Sequence, residues 1–356
     1  MGRIVKYSWI LLIGSFLFSQ DMMSRLKVPI KIKTSIGFGY DNNFLRLSEQ
    51  EIIEEDVTDY GITSTLDSPI FKPAIKMIYS PAFINGQNTN IVTSISYSYF
   101  SQAVQKSYLI TNLSLELKFR SYSWLKIGIR DIPKYYLRSY HDWDLSNIDY
   151  FDCTFSSQRY FVSYSLPVTW IRKTWIKIYT DYTKEYYNPN FTEFDLDKYM
   201  IQFDLNHRTR KKHSVKLSVS HGSAENISYG SYLPSASIDR SYIFDRLWTV
   251  FIYKTKSNKI IEQLGISLFL EQRYYELESS TYSFDNWKFY MDGRAKVWIN
   301  WDILNNVGIK TWYQYRWRNA DTQIYSDFEW VEDIKSYTKH AMWLELSYEF
   351  VSDILY

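Results

Sequence analysis

Taken at every second residue, Lys288–Trp301 (KFYMDGRAKVWINW) separates into two unlike sets. Phe289, Met291, Gly293, Ala295, Val297, Ile299 and Trp301 form the apolar set. Lys288, Tyr290, Asp292, Arg294, Lys296, Trp298 and Asn300 form the mostly polar one. Successive side chains of a strand point to opposite faces, so strict alternation marks a strand with two different surroundings. Ordinary sheet strands run about 5–6 residues. This one holds its phase well past the roughly 9–11 residues that a tilted strand needs to cross a bilayer.

The pattern recurs along the chain. Ile30, Ile32, Ile36 and Phe38 oppose Lys31, Lys33 and Ser35; Tyr199, Ile201, Phe203 and Leu205 oppose Lys198, Gln202 and Asp204. Helical periodicity is absent, and the alternation predicts about fourteen strands, with twelve to sixteen allowed by the uncertainty of strand ends. They fall near 30–40, 71–80, 90–101, 108–120, 124–131, 157–167, 173–185, 198–208, 213–223, 242–254, 259–275, 286–301, 306–319 and 338–350. Those near 71 and 124 are short. Tyr242–Lys254 alternates poorly because Asp245 falls on its more apolar face. The connections alternate in length: long ones such as Asp41–Ile70, Asp131–Ser156 and Ala320–Tyr337, and short ones such as Ser121–Ser123, Thr209–Lys212 and Asp302–Asn305. Only Gln102–Ser107 is shorter than its place in that rhythm predicts.

Composition agrees with such a sheet. Tyrosine (33), phenylalanine (21) and tryptophan (13) are abundant, whereas glycine (12) and proline (8) are scarce. Aromatics suit strands, and Tyr and Trp suit a membrane–water boundary in particular. The net charge of +2 favours no class of partner, and the absence of a clustered basic patch argues against nucleic acid. Residues 1–20 read as a secretory leader: Arg3 and Lys6, then the apolar Trp9–Phe18, then Ser19 before a cut near Gln20. Residues 21–356 then form one domain. The leader's apolar run is too short to span a bilayer as a helix, and no later stretch reaches the ~18 apolar residues required. Cys153 is the one cysteine, so no internal disulfide holds the exported chain.

Hydrocarbon requires every backbone N–H and C=O to be paired, which a sheet achieves only by closing on itself. Long loops at one end and short turns at the other are how membrane barrels are built. The final strand, Met342–Phe350 (MWLELSYEF), keeps Met342, Leu344, Leu346, Tyr348 and Phe350 in one phase, continued by Ile354 and Tyr356. Here the chain resembles bacterial outer-membrane β-barrel proteins of the porin-like kind, a likeness that Gly37–Asn43 (GFGYDNN) also carries near the start. The resemblance implies an all-β, transmembrane, antiparallel up-and-down barrel in the bacterial outer membrane, bathed by lipid and lipopolysaccharide. It further implies that Tyr348, Phe350 and Tyr356 are read by the barrel-assembly machinery. Only about ten residues separate the leader from the first strand, which leaves no room for a plug domain and argues against energised import.

Catalytic and cofactor motifs are missing: there is no G-x-S-x-G, H-E-x-x-H, P-loop or paired-cysteine site. The expectation is therefore a non-enzyme without cofactor or metal. His141 beside Asp142 and Asp144 imitates part of a hydrolytic site but lies in an acidic, aromatic loop, and His207 and His221 read as membrane-boundary residues. Cys153 has no neighbour in sequence that would activate it. Two acidic runs, Glu49–Asp59 and Asp321–Asp333, lack calcium-loop spacing and read as solvated loops or as contacts to lipopolysaccharide-bridging ions.

The sign of the polar face is the most informative chemistry. Its basic residues include Lys31, Lys33, Lys72, Lys76, Lys118, Arg120, Lys126, Arg130, Arg159, Lys177, Lys198, Lys216, Arg273, Lys288, Arg294, Lys296, Lys310, Arg316 and Arg318. The acidic ones are Glu116, Asp181, Glu185, Asp204, Glu271, Asp292, Glu345 and Glu349, outnumbered more than two to one. A ring of Lys and Arg favours anions in a pore. Trp298, Trp312 and Trp343 share the phase and are candidates for stacking on a solute. The expectation is a porin-like channel for a small anionic or sugar-like solute. Its rivals are a non-conducting barrel that scaffolds an envelope or secretion complex, with its charges paired across the lumen, and a secreted carbohydrate-binding β-protein.

Overall fold

The computed structural model describes residues 28–54, 65–81, 88–141, 150–209, 212–232, 236, 239–255, 260–275, 288–304, 306–322 and 336–354. The expected leader, the acidic residues 327–333, Asp142, Asp144 and Tyr356 lie outside them. Fourteen strands form one antiparallel sheet. The first seven are β1 (Val28–Asp41), β2 (Ser68–Tyr79), β3 (Asn88–Phe100), β4 (Tyr108–Arg120), β5 (Ser123–His141), β6 (Tyr150–Pro167) and β7 (Thr174–Tyr187). The second seven are β8 (Leu196–Thr209), β9 (His213–Asn226), β10 (Tyr242–Lys254), β11 (Ile261–Tyr275), β12 (Lys288–Leu304), β13 (Val307–Thr322) and β14 (Tyr337–Ile354). Each pairs with its neighbours in sequence, and β1 pairs with β14 from Val28↔Ile354 to Asp41↔Ala341. The result is a closed up-and-down barrel in which no strand edge is left open.

The alternation sorts as expected. Phe38 (55% exposed), Phe203 (45%) and Leu344 (46%) face outward with the other members of their rows, while Asp204 (1%) and Asp292 (3%) point inward and are buried. An apolar wall is stable against hydrocarbon and not against water, since a soluble monomer rarely exposes so large a continuous patch. Aromatic rings mark both rims of this belt. Towards the loop end, Tyr160, Tyr182 and Tyr199 stack across β6–β7–β8 at 6.3 and 4.9 Å, and the Tyr182 hydroxyl donates to Asp197 at 2.7 Å. Towards the turn end, Phe119 meets Tyr164 at 6.4 Å, and Tyr348 meets Phe350 at 6.1 Å on β14. Such girdles suit the interface, where one side of a ring is apolar and the other wet.

Three local departures from the expected pattern have physical causes. The β5–β6 hairpin runs to His141 and restarts at Tyr150, where alternation had predicted a loop from Asp131 to Ser156. Register shifts between Ile132 and Tyr135 and between Tyr136 and Ser139 break the phase without breaking the strand. Secondly, β10 is a full strand whose outward Asp245 bonds His221 of β9 at 2.9 Å, so the residue that spoiled the alternation has a partner on the same outer face. Thirdly, the first acidic run is not wholly solvated. Ser48–Glu51 closes a reciprocal cap on the short helix α1 (Glu49–Glu54), with Glu51 N to Ser48 Oγ at 3.0 Å and Ser48 N to Glu51 Oε2 at 2.8 Å. Glu51 is buried and pairs with Arg138 of β5 at 2.8 Å.

That helix belongs to the connection after β1, which folds into the loop-end mouth. Phe44, Leu45 and Leu47 are buried against Ile70, Phe100, Ala103 and Tyr136, the main apolar cluster inside the barrel. Lys106, in the short 3₁₀ turn Val104–Lys106, braces the same mouth. Its ammonium donates to the carbonyls of Tyr136 (2.7 Å) and Leu137 (2.9 Å), within the stretch of β5 whose ladder to β6 is interrupted. Lys106→Met leaves those carbonyls without their donor and is expected to lower the denaturant midpoint of the folded barrel by about 2 kcal/mol equivalent. Burial pushes the Lys106 ammonium well below the ordinary lysine value. The unfolded chain then holds that proton more tightly. Stability is lowest below the folded-state value and rises with pH towards lysine's ordinary range, and the Met variant loses that rise.

Inside the wall, Gly222 of β9 leaves room for its neighbours. A Cβ there would come within 3.0 Å of both the Phe244 ring and the Tyr199 carbonyl oxygen, and the latter is backbone that cannot swing aside. Gly222→Ala is expected to destabilise the barrel by roughly 1–3 kcal/mol, read as a lower temperature for loss of the compact, fast-migrating gel form.

Candidate functional site

The inward rows carry carboxylates at the centres of basic clusters. Asp292 on β12 accepts from Arg318 at 2.8 Å and Arg316 at 3.2 Å, both on β13, with Arg273 of β11 at 3.9 Å. Glu271 holds Arg273 at 2.5 Å and also Arg246 of β10. Asp204 on β8 lies between Lys216 (3.1 Å) and Lys177 (3.9 Å). Glu185 pairs with Lys198 at 2.6 Å, and Glu116 with Lys126 at 2.8 Å. In three of these five groups one carboxylate serves two or more cations, so pairing does not neutralise the wall.

Lys31 pairs with Glu349 and Lys339 with Asp41, each at 2.5 Å, whereas Arg130, Arg159, Arg294 and Lys296 have no carboxylate within ion-pair distance among the described residues. Arg294 sits over the Phe269 ring at 4.5 Å and Lys296 over Trp312 at 3.7 Å. Arg159 donates to Thr183 at 3.1 Å, and the Nε of Arg130 is buried without a partner. Two arginine pairs stand directly opposite each other in register, Arg130↔Arg159 across β5–β6 and Arg294↔Arg316 across β12–β13. Like charges in that arrangement cost the sheet roughly 0.2–1 kcal/mol each. The two pairs lie on opposite walls and face one cavity.

Three cavities follow one another down the barrel. The upper, about 490 Å³, lies at the loop end beneath the folded-in connection. The middle, about 680 Å³, meets it at Arg273 and Arg316. The lower, about 450 Å³, meets the middle at Lys216, Trp248 and Lys296 and is lined further down by Lys310. Every junction is therefore marked by at least one cation.

Of the cations predicted from phase, Arg130, Arg159, Lys177, Lys216, Arg273, Arg294, Lys296 and Arg316 come together around the middle cavity. Arg318 faces the upper cavity, while Lys118 and Arg120 are exposed at the turn end of β4. Lys288 opens β12, and its side chain lies outside the described residues. The tryptophans divide. Trp312 and Trp343 stack on each other at 5.4 Å and 14°, with Lys296 on Trp312 and Lys72 at 6.0 Å from Trp343. Trp343 covers Gly39, where a Cβ would stand 2.5 Å from the ring, so the glycine is what lets the indole lie against the wall. Trp298 covers Gly265 and lines the lower cavity. Tyr348 and Phe350 are outward on β14. Elsewhere, Cys153 is buried, and His207 bonds Thr174 at 2.7 Å.

Phase reasoning missed Arg246 and Trp248, because the poor alternation of β10 hid which of its faces is inward. It also missed Arg46, a loop residue that the fold delivers to the upper cavity. No periodic signal marks a loop that turns inward; the cluster Phe44, Leu45 and Leu47 around it was the one available hint.

No family model matches this sequence, and no curated protein does. Among solved structures the barrel is similar to an anion-selective porin from Comamonas acidovorans, at 5% identity and a TM-score of 0.43, over 91% of this chain and 99% of that one. It is also similar to a loop-deleted OmpT, an outer membrane protein of Vibrio cholerae, at 6% identity and 0.45, over 91% and 100%. The outer membrane channel DcaP of Acinetobacter baumannii matches at 8% and 0.45, over 92% and 99%. At such identities and scores these likenesses carry no argument about this chain, and its closed fourteen-stranded barrel stands on its own topology.

Proposed function

We propose that this chain is an outer-membrane channel that passes small anionic solutes through a basic lumen, its loop end towards the exterior of the cell. The observation that carries the reading is the series of three cavities joined at Arg273 and Arg316 and at Lys216 and Lys296. A cationic lining of this kind lowers the energy of an anion in transit and raises that of a cation. The outward apolar belt with its two aromatic girdles supports a membrane address, and gives a secreted soluble protein nothing to do with that surface. Trp298 and Trp248 line the lower cavity and offer faces to a sugar-like or aromatic solute. Tyr348, Phe350 and Tyr356 are proposed as the signal for the assembly machinery, and the loop-end residues as the contact with lipopolysaccharide.

The test is the reversal potential of the refolded barrel in a planar bilayer under about a tenfold potassium chloride gradient, where anion preference is expected. One observation favours a second reading. Phe44, Leu45 and Leu47 fill part of the mouth, as the side chains of a plugged barrel would. Folded, inserted protein that carries no current would decide for a non-conducting scaffold, and cross-linking through its loops would then identify the envelope complex it serves.

A further inference from the structure

We infer that Arg46 completes a binding site for a doubly charged oxyanion, a sulfate or phosphate group, at the neck between the upper and middle cavities. The inference rests on the channel reading and narrows it to a class of solute.

The connection after β1 is built to hold one side chain in the lumen. Asn43 ties it at both ends: its amide donates to the carbonyl of Leu47 (2.8 Å) and to that of Thr338 on β14 (3.2 Å), and its Oδ1 accepts from Leu47 N at 2.9 Å. Within that closed turn Phe44, Leu45 and Leu47 go into the apolar cluster, and Arg46 alone stays out of it. Arg46 has φ +62°, the left-handed region that a residue with a Cβ seldom occupies. Strain of this sort persists where the surrounding structure enforces it, and it is characteristic of ligand clamps. The reciprocal Ser48–Glu51 cap and the buried Glu51–Arg138 pair do the enforcing.

Arg46 lines the upper cavity with Arg273, Arg316, Arg318 and Tyr337. Charge there does not balance. Asp292 is shared by Arg316, Arg318 and Arg273, and Glu271 by Arg273 and Arg246. Arg46 reaches no carboxylate among the described residues, and its Nε is buried without a partner. Asp292 and Glu271 are thus already shared among Arg246, Arg273, Arg316 and Arg318. The acids lining the upper cavity itself are Glu185, which Lys198 takes at 2.6 Å, and Asp239, which accepts from Ser241 N, so the place where the two cavities meet keeps a positive excess. Guanidinium forks match the paired oxygens of an oxyanion. A halide satisfies neither the geometry nor the charge; a tetrahedral dianion bridging Arg46 and the β13 arginines satisfies both.

The test uses the full-length barrel in detergent, titrated calorimetrically with sodium sulfate against sodium chloride, alongside bilayer recordings of chloride current with sulfate added. Wild type is expected to bind sulfate in preference to chloride and to lose chloride current as sulfate is added. Arg46→Ala should weaken sulfate at least tenfold, as loss of a charge-assisted hydrogen bond does, and Arg46→Lys should recover part of it. Arg46→Gly, which relaxes the left-handed backbone, provides a second variant lacking the guanidinium, with gel mobility confirming a closed barrel. Unchanged sulfate affinity in the Ala and Gly variants overturns the inference, as does a wild type without preference for sulfate. Anion current without sulfate binding overturns this site and leaves the channel standing. Sulfate binding lost in Arg46→Ala, in a barrel that carries no current, sinks the channel and upholds the site.

Discussion

Replacing Arg294 and Lys296 together by glutamate is expected to shift the proposed channel's preference from anions towards cations. Both face the middle cavity, and neither has a carboxylate partner among the described residues: Arg294 rests on Phe269 and Lys296 on Trp312. Their charge therefore acts on whatever occupies the lumen. A unit charge about 8 Å from a permeating ion contributes roughly 0.5 kcal/mol in water, so the four-unit change of the double variant amounts to about 2 kcal/mol. Salt screening trims this, and a change of about tenfold in the permeability ratio is the expected reading in a dilute gradient. The new carboxylates also find Arg246, Arg316 and Lys310 nearby, so the sheet is expected to close. An unchanged reversal potential in a folded double variant would show that ions do not pass these side chains.

Removing Asp292 should act on the fold rather than on selectivity alone. Its carboxylate is 3% exposed and accepts from Arg316 and Arg318 within 3.2 Å, with Arg273 at 3.9 Å. Asp292→Ala leaves three guanidinium groups of β11 and β13 confronting one another, with Glu271, already holding Arg273 and Arg246, as the neighbouring carboxylate among the described residues. Breaking a buried pair by deleting one partner costs about 3–5 kcal/mol, and here the neighbouring cavities hydrate the arginines and reduce that to about 2–4 kcal/mol. The measurement is the denaturant midpoint of the folded barrel. Wild-type stability in the variant would mean that the lumen is wet enough for these charges not to need the carboxylate. Arg294 and Lys296 belong to the same phase and the same wall as Arg316 and Arg318, yet among the described residues the first two have no carboxylate partner to lose.

The alternation of Lys288–Trp301 and its counterparts determined the sheet, its closure and, outside β10 and the upper part of β5–β6, the side on which each side chain lies. In a barrel wall every residue faces either outward or inward, so one local rule with period two suffices, and it placed Phe38, Phe203 and Leu344 outside and Asp204 and Asp292 inside. Where the rule is interrupted locally, reading stopped: the bulges after Ile132 hid the upper β5–β6 hairpin, and Asp245 obscured β10 and with it Arg246. Tertiary structure alone decided which cations are paired, because Arg318 reaches Asp292, and Arg294 faces Arg316, through the cross-strand register, which strand phase does not encode. It also decided that the connection after β1 turns inward and carries Arg46 to the neck. That choice depends on Ile70, Phe100 and Tyr136, which only the closed barrel brings around the loop.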